Sequence, residues 1–146
     1  GNYLNSILAT QDAKQKGFDE AILLDQSGNV SEAPGENIFL VKNNELVTPS
    51  LNSSALDGIT RRSIITLSKD MRLKVKTRKV SKEELKMADE IFLSGTAAEI
   101  TPIIKIDKKK IGDGKVGNMT KLFMDTYSDI VMNKNKNYSN WLTVVY

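Results

Sequence analysis

Two apolar runs, NIFLVK at 37–42 and ELVT at 45–48, are joined only by Asn43-Asn44. So short a link reads as a turn between neighbouring antiparallel strands. A second turn signal, Gln26-Ser27-Gly28-Asn29, follows the apolar run EAILLD at 20–25, which predicts a short buried strand and another hairpin. These hairpins argue against a doubly wound parallel sheet and for antiparallel or mixed pairing.

The other elements fit around them. Tyr3, Leu4, Ile7 and Leu8 recur at helical spacing and Gly17 is a stop signal, so a helix is expected over Leu4–Lys16. Gly58-Ile59-Thr60 opens a second helix with apolar positions at Ile59, Ile64, Ile65 and Leu67. Leu73, Val75 and Thr77 alternate with basic residues, as in a strand with one wet face. Ser81 and Glu84 form a capping-box pattern for a short helix running to about Ala88. Strands are expected at 90–93 and 101–107, and Met119 to Val131 reads as an amphipathic helix. The expected fold is α+β: one domain over residues 1–146, with a mixed or antiparallel sheet, or a barrel-like form of it, flanked by helices.

Composition narrows the chemistry. The 146 residues contain no histidine and no cysteine. Serine–histidine and cysteine–histidine hydrolysis and ordinary zinc sites are thereby excluded within the chain, as is a disulfide framework. The net charge of +3 is small, and the clusters Lys74/Lys76/Arg78/Lys79 and Lys108–Lys110 lack neighbouring aromatics. They read as solvated faces, not as a nucleic-acid surface. No apolar stretch has the length of a membrane span and no signal peptide is visible, so no membrane partner and a cytoplasmic setting are expected.

Three polar segments interrupt the apolar pattern: SEAPGEN (31–37), LDGIT (56–60) and SGTAAE (94–99). The second and third each offer a glycine, a threonine and backbone N–H groups at a turn or helix start, features that suit an anion. A plain helix cap and a plain tight turn are the alternatives. SEAPGEN supplies Glu32, which is either an exposed turn residue or a buried carboxylate in need of a cation. Taken together the three suit a ligand with a phosphate at one end and a positive ring nitrogen at the other. Pyridoxal 5'-phosphate has both.

GNYLNS, SEAPGENIFLV, SSALDGITRRS and SGTAAEITP occur in this order, and over nearly the whole chain it resembles the fold-type IV pyridoxal-phosphate enzymes, most closely the branched-chain amino acid aminotransferases. The resemblance implies that Tyr3 bonds the cofactor's phenolic oxygen and that Glu32 meets its pyridine nitrogen. It implies that Leu56 packs on the ring, and that Gly58, Ile59 and Thr60 at the helix start and Gly95 and Thr96 at the turn hold the phosphate. The N–H groups of Thr96 and Ala97 would hold a substrate carboxylate, with Glu36 and Asn37 in support. The implied reaction exchanges the amino group of leucine, isoleucine or valine with 2-oxoglutarate, in a homo-oligomeric enzyme.

The sequence also departs from the family. Asp57 stands where a proline is expected and is a candidate N-cap. Ala33-Pro34 replaces a glycine-containing pair and stiffens that turn. The family's Schiff-base lysine lies just before the GNY segment, so it is expected just upstream of Gly1, and no catalytic residue is expected within the chain. A preceding small domain is expected to be absent from these residues and the 146 residues are expected to be inactive alone. Lys14 and Lys16 fit no family position. The alternatives are a degenerate, non-enzymatic cofactor-binding scaffold, or a D-amino-acid aminotransferase or aminodeoxychorismate lyase on the same fold.

Overall fold

The computed structural model describes residues 3–143 and 145. Gly1, just upstream of which the cofactor lysine is expected, lies outside the described residues. The centre of the fold is a mixed five-stranded sheet in the order β3-β2-β1-β4-β5. Strand β1 (Asn37–Lys42) turns through Asn43 and Asn44 into β2 (Glu45–Pro49). Both turn residues have positive φ, 50° and 59°, as a two-residue hairpin with the strands' own twist requires. Strand β3 (Lys74–Arg78) runs parallel to β2, while β4 (Glu90–Gly95) and β5 (Glu99–Ile103) complete the sheet by antiparallel pairing. The sheet is open, with no closed barrel among the described residues.

Residues 38–41 of strand β1 are all apolar because both faces of the sheet are covered there. On one face Ile38, Leu40, Val47, Ile91 and Leu93 pack with Val30, Val80 and Ile111, and with Leu85 of the short helix α3 (Lys82–Lys86). On the other, Phe39, Leu46 and Phe92 meet two helices, α2 (Ile59–Asp70) through Ile64 and Leu67, and α4 (Asn118–Val131) through Phe123 and Ile130. Phe39 and Phe92 stack with ring centres 5.1 Å apart, and Phe123 follows at 5.6 Å from Phe92. Helix α1 (Leu4–Gln15) lies outside this core: Leu4, Ile7 and Leu8 are exposed, and only Ala13 is buried.

Several expectations are corrected. Residues 20–25 do not form a buried strand; they are half-buried apart from the exposed Leu24, which alone bridges to Val30. The pairing is interrupted because Leu23 receives an N–H from Ser31 and donates its own to the carbonyl of Glu32, so two residues oppose one in a β-bulge. Asp57 does not cap α2; the N-cap is Gly58, with no side-chain cap bond. Ile59 is exposed, not core. The strand expected at 101–107 divides into the end of β5 and a small hairpin of β6 (Lys105–Ile106) with β7 (Lys109–Lys110). Half of the expected capping box forms: Ser81 accepts the Glu84 N–H at 3.1 Å, whereas the Glu84 carboxylate pairs with Arg78 instead of returning to Ser81. Among the described residues no helix is long and apolar enough to cross a membrane.

Candidate functional site

The three polar segments meet at one end of the sheet. Chain reversal at Pro34-Gly35 brings SEAPGEN there, with Ala33 N–H bonded to the Glu36 carbonyl at 2.8 Å. Across such a turn Ala33 faces Glu36 and Glu32 faces Asn37, and alternation puts the two pairs on opposite faces. Asn37 Nδ2 accordingly donates to Glu32 Oε2 at 3.2 Å.

The second segment docks on the first. Leu56 N–H donates to Glu32 Oε2 at 2.8 Å, and Asn37 Nδ2 donates to the Leu56 carbonyl, also at 2.8 Å. Gly58 lies so close to Asn37 that a β-carbon there would overlap Asn37 Oδ1, so glycine serves here for close approach. The third segment arrives through sheet register: Asn37 is opposite Ser94. A β-carbon on Gly95 would sit 3.0 Å from the Gly35 carbonyl oxygen and 3.1 Å from Glu36 Cγ. The turn carrying Thr96 and Ala97, both exposed, therefore lies beside the Pro34-Gly35 turn.

Glu32 is half-buried, and burial pushes its carboxyl above the ordinary value of 4.5, opposed by the Leu56 N–H. Both of its hydrogen bonds go to Oε2. A cation against this group would favour the ionised form. The mouth of α2 is the complementary half. The first helical bond among the described residues runs from Arg62 N–H to the Gly58 carbonyl, so the amides of Ile59, Thr60 and Arg61 have no helical acceptor. Thr60 is buried, with its hydroxyl 3.4 Å from that of Tyr127, so Gly58 and exposed Ile59 form the accessible rim. Leu56 is 68% exposed, an apolar side chain on the open side of this mouth.

Tyr3 and Glu36 occupy a neighbouring groove of about 400 Å³ between α1 and the Pro34-Gly35 turn, which Lys14 and Glu20 also line. Tyr3 is thus the residue of the expected site nearest in sequence to Gly1, which itself lies outside the described residues. Glu36 accepts the Gly35 N–H at 3.2 Å; burial and then the Glu20 charge push its carboxyl up. A hollow of about 490 Å³ lined by Lys42, Lys86, Lys109 and Lys110 contains none of the three segments; Lys42 pairs with Asp89 and Lys86 with Asp107. Among the described residues no group of acidic side chains is arranged to hold a metal.

Arg61, not singled out from the sequence, supports the site. Arg61 is buried, donates to the Pro49 carbonyl at 3.1 Å and pairs with Asp57 at 3.4 Å, which engages the acid beside the helix mouth. Burial pushes the Arg61 guanidinium down, and Asp57 opposes this. The i,i+4 spacing of Asp57 and Arg61 was the available signal. Ser94 is buried, and its hydroxyl has no hydrogen-bond partner among the described residues.

The Amino-transferase class IV family model matches residues 1–106. A probable branched-chain-amino-acid aminotransferase of Aquifex aeolicus is 48% identical over 147 residues, covering 100% of this chain and 47% of that protein. The crystal structure of a T.th. branched-chain amino acid aminotransferase complexed with N-(5'-phosphopyridoxyl)-L-glutamate superposes with a TM-score of 0.96 at 41% identity, covering 100% of this chain and 49% of that one. The branched-chain aminotransferase of Thermoproteus uzoniensis with norvaline gives 0.94 at 45% identity, covering 99% and 48%. The chain spans about half the length of the relatives it matches.

Proposed function

Because the chain belongs to the class IV amino-transferase family, we propose that it is the cofactor-binding part of a pyridoxal-phosphate-dependent branched-chain amino acid aminotransferase. The complete enzyme exchanges the amino group of leucine, isoleucine or valine with 2-oxoglutarate. In this reading the lysine that carries the cofactor, just upstream of Gly1, and part of the substrate pocket come from sequence outside these residues. The enzyme acts as a homo-oligomer in the cytoplasm, with small-molecule amino acid and 2-oxo acid substrates.

The observation that carries the reading is the placement of a half-buried carboxylate, Glu32, next to an uncapped helix start, with Leu56 between them. The donor set fits the cofactor: a carboxylate for a ring cation, amides for a phosphate and an exposed apolar side chain for a ring face. When bound, pyridoxal phosphate supplies an electron sink for the substrate α-carbon. Glu32 holds the proton at the pyridine nitrogen, so that the ring remains electron-poor. Ile59 and Thr60 offer N–H groups to the phosphate, where the α2 macrodipole favours negative charge. Gly95 and Thr96 would also hold the phosphate, and the N–H groups of Thr96 and Ala97 would orient the substrate carboxylate. Leu56 excludes water from one face of the ring. Tyr3 donates to the phenolic oxygen, and Asn37 fixes the Glu32 carboxylate.

The test is amino transfer by the complete protein. Leucine, isoleucine and valine with 2-oxoglutarate should yield glutamate, and borohydride should fix pyridoxal phosphate to one lysine. A cofactor adduct without transfer from any of the three amino acids would overturn the substrate assignment. Absence of an adduct would overturn the cofactor assignment.

A further inference from the structure

Asn37 stands at the junction of the two ends of the site. It is buried at 4% exposure, and its Nδ2 donates both to Glu32 Oε2 and to the Leu56 carbonyl. The amide nitrogen has two hydrogens, and this arrangement uses both. Flipping the side chain would set Oδ1 against two acceptors, so the network fixes its orientation. In the observed orientation Oδ1 abuts Gly58, the N-cap of α2. The Leu56 N–H returns to Glu32 Oε2 and closes a ring of three hydrogen bonds. Opposite Asn37 on β4, the buried Ser94 hydroxyl has no partner among the described residues, so Ser94 offers no competing anchor.

We propose that Asn37 is a positioning residue that couples the two ends of the site. By gripping Glu32 and Leu56 at once it fixes the start of α2 relative to the carboxylate, so phosphate affinity at the helix mouth depends on a side chain that does not touch phosphate. The inference rests on the cofactor reading above and adds to it a thermodynamic link between ring recognition and phosphate recognition. The ring spans two separate segments, which local turn geometry alone does not join.

The experiment measures binding of three probes to the complete protein: pyridoxamine 5'-phosphate, pyridoxamine and inorganic phosphate. Loss of one or two hydrogen bonds predicts that Asn37→Ala weakens inorganic phosphate by about three- to tenfold, and pyridoxamine by a similar factor. Glu32→Ala should also weaken inorganic phosphate, and the double variant should be no weaker toward phosphate than Asn37→Ala alone. If Asn37→Ala weakens pyridoxamine and leaves phosphate unchanged, Asn37 serves Glu32 only and the coupling is overturned. Should the variant fail to fold, the wild-type protein decides: inorganic phosphate should shift the NMR signals of the Asn37 side-chain amide and the Leu56 amide, and unmoved signals overturn the coupling. A wild-type protein that binds none of the three probes overturns the cofactor reading, and the coupling with it.

Discussion

Helices α2 and α4 pack on the same face of the sheet, and each follows a glycine N-cap, Gly58 and Gly117, that lies tightly against a polar side chain. Their starts are nevertheless finished differently. At α4 the neighbour is Glu90, whose carboxylate accepts the Met119 and Thr120 N–H groups at 3.1 and 2.7 Å and the Thr120 hydroxyl at 2.7 Å. The protein thus supplies its own anion there. At α2 the neighbour is Asn37, which points its donors away from the helix toward Glu32 and Leu56. The amides of α2 keep their capacity for an anion from outside. A helix start satisfied internally is a structural joint, whereas one left uncapped among glycines and exposed apolar side chains is suited to a ligand.

The largest expected effect tests the ligand side of this contrast. In the complete enzyme, Glu32→Gln should reduce turnover by about 10²-fold or more, because a neutral amide stabilises a protonated ring poorly. Its melting temperature should hardly move, since Gln can still accept the Leu56 N–H. Glu36→Gln, one turn away on the opposite face, should keep turnover within about fivefold, as a side chain outside the reacting centre would. Steady-state kinetics on the two variants make the comparison, and equal losses would contradict the division between the faces.

The structural side comes next. Glu90→Ala removes three charge-assisted bonds at the start of α4 and should destabilise the fold by about 2–4 kcal/mol. Affinity for pyridoxamine 5'-phosphate, measured well below the melting temperature, should remain near that of wild type. A loss of cofactor affinity with unchanged stability would reverse the roles assigned to the two helices.

The fold was legible where local pattern and tertiary need agree. The Asn43-Asn44 turn, the Ser81 half of the capping box and the amphipathic character of α4 are each decided by a few neighbouring residues and appear as read, although Leu122 and Val131 of the α4 stripe are exposed. Residues 20–25 misled because a short apolar run is compatible both with a paired strand and with an irregular edge, and the bulge that interrupts it is a long-range property. Asp57 misled in a similar way. As a possible N-cap it competed with its pairing to Arg61, and burial of that guanidinium settled the contest. Of the site, the residues themselves pointed to Glu32 and to the glycines, threonines and backbone N–H groups of LDGIT and SGTAAE. The reason Asn37 belongs with Glu32 while Glu36 does not follows from the two-residue turn, which places 32 opposite 37 and 33 opposite 36.

Gly58→Ala should fall below Glu90→Ala in its effect on stability. The new β-carbon would meet Asn37 Oδ1, and relief requires moving either the ring of hydrogen bonds or the helix start. A cost of about 1–3 kcal/mol is expected, together with weaker phosphate binding. Gly95→Ala meets its neighbours at 3.0–3.1 Å, one of them the flexible Glu36 side chain, and should cost about 1 kcal/mol. Denaturant titrations of both variants rank them, and a larger penalty at Gly95 would show that the turn, not the helix mouth, is the tighter junction.

The smallest effect concerns the Glu36 side of the turn. Burial, and then the Glu20 charge, raise the Glu36 carboxyl above 4.5. Between that ordinary value and its raised value, the folded protein holds more protons than the unfolded chain, so stability falls as pH rises through the interval and stays lower above it. Glu36→Gln removes this penalty while its side-chain oxygen can still accept the Gly35 N–H. The variant should therefore be the more stable form at neutral pH, by a few tenths of a kcal/mol for so solvated a group, and the gain should vanish below about pH 4.5. Glu20 is held by Thr10 and by its own neighbour's amide, Ala21 N–H, at 3.2 and 2.8 Å, so Glu20→Gln keeps those acceptor positions and should reproduce part of the same gain. Urea denaturation from pH 4 to 8 measures both variants. A gain that grew toward acid would carry the wrong sign for a raised carboxyl and would mean that Glu36 is stabilised as an anion, by a cation facing it across the α1 groove.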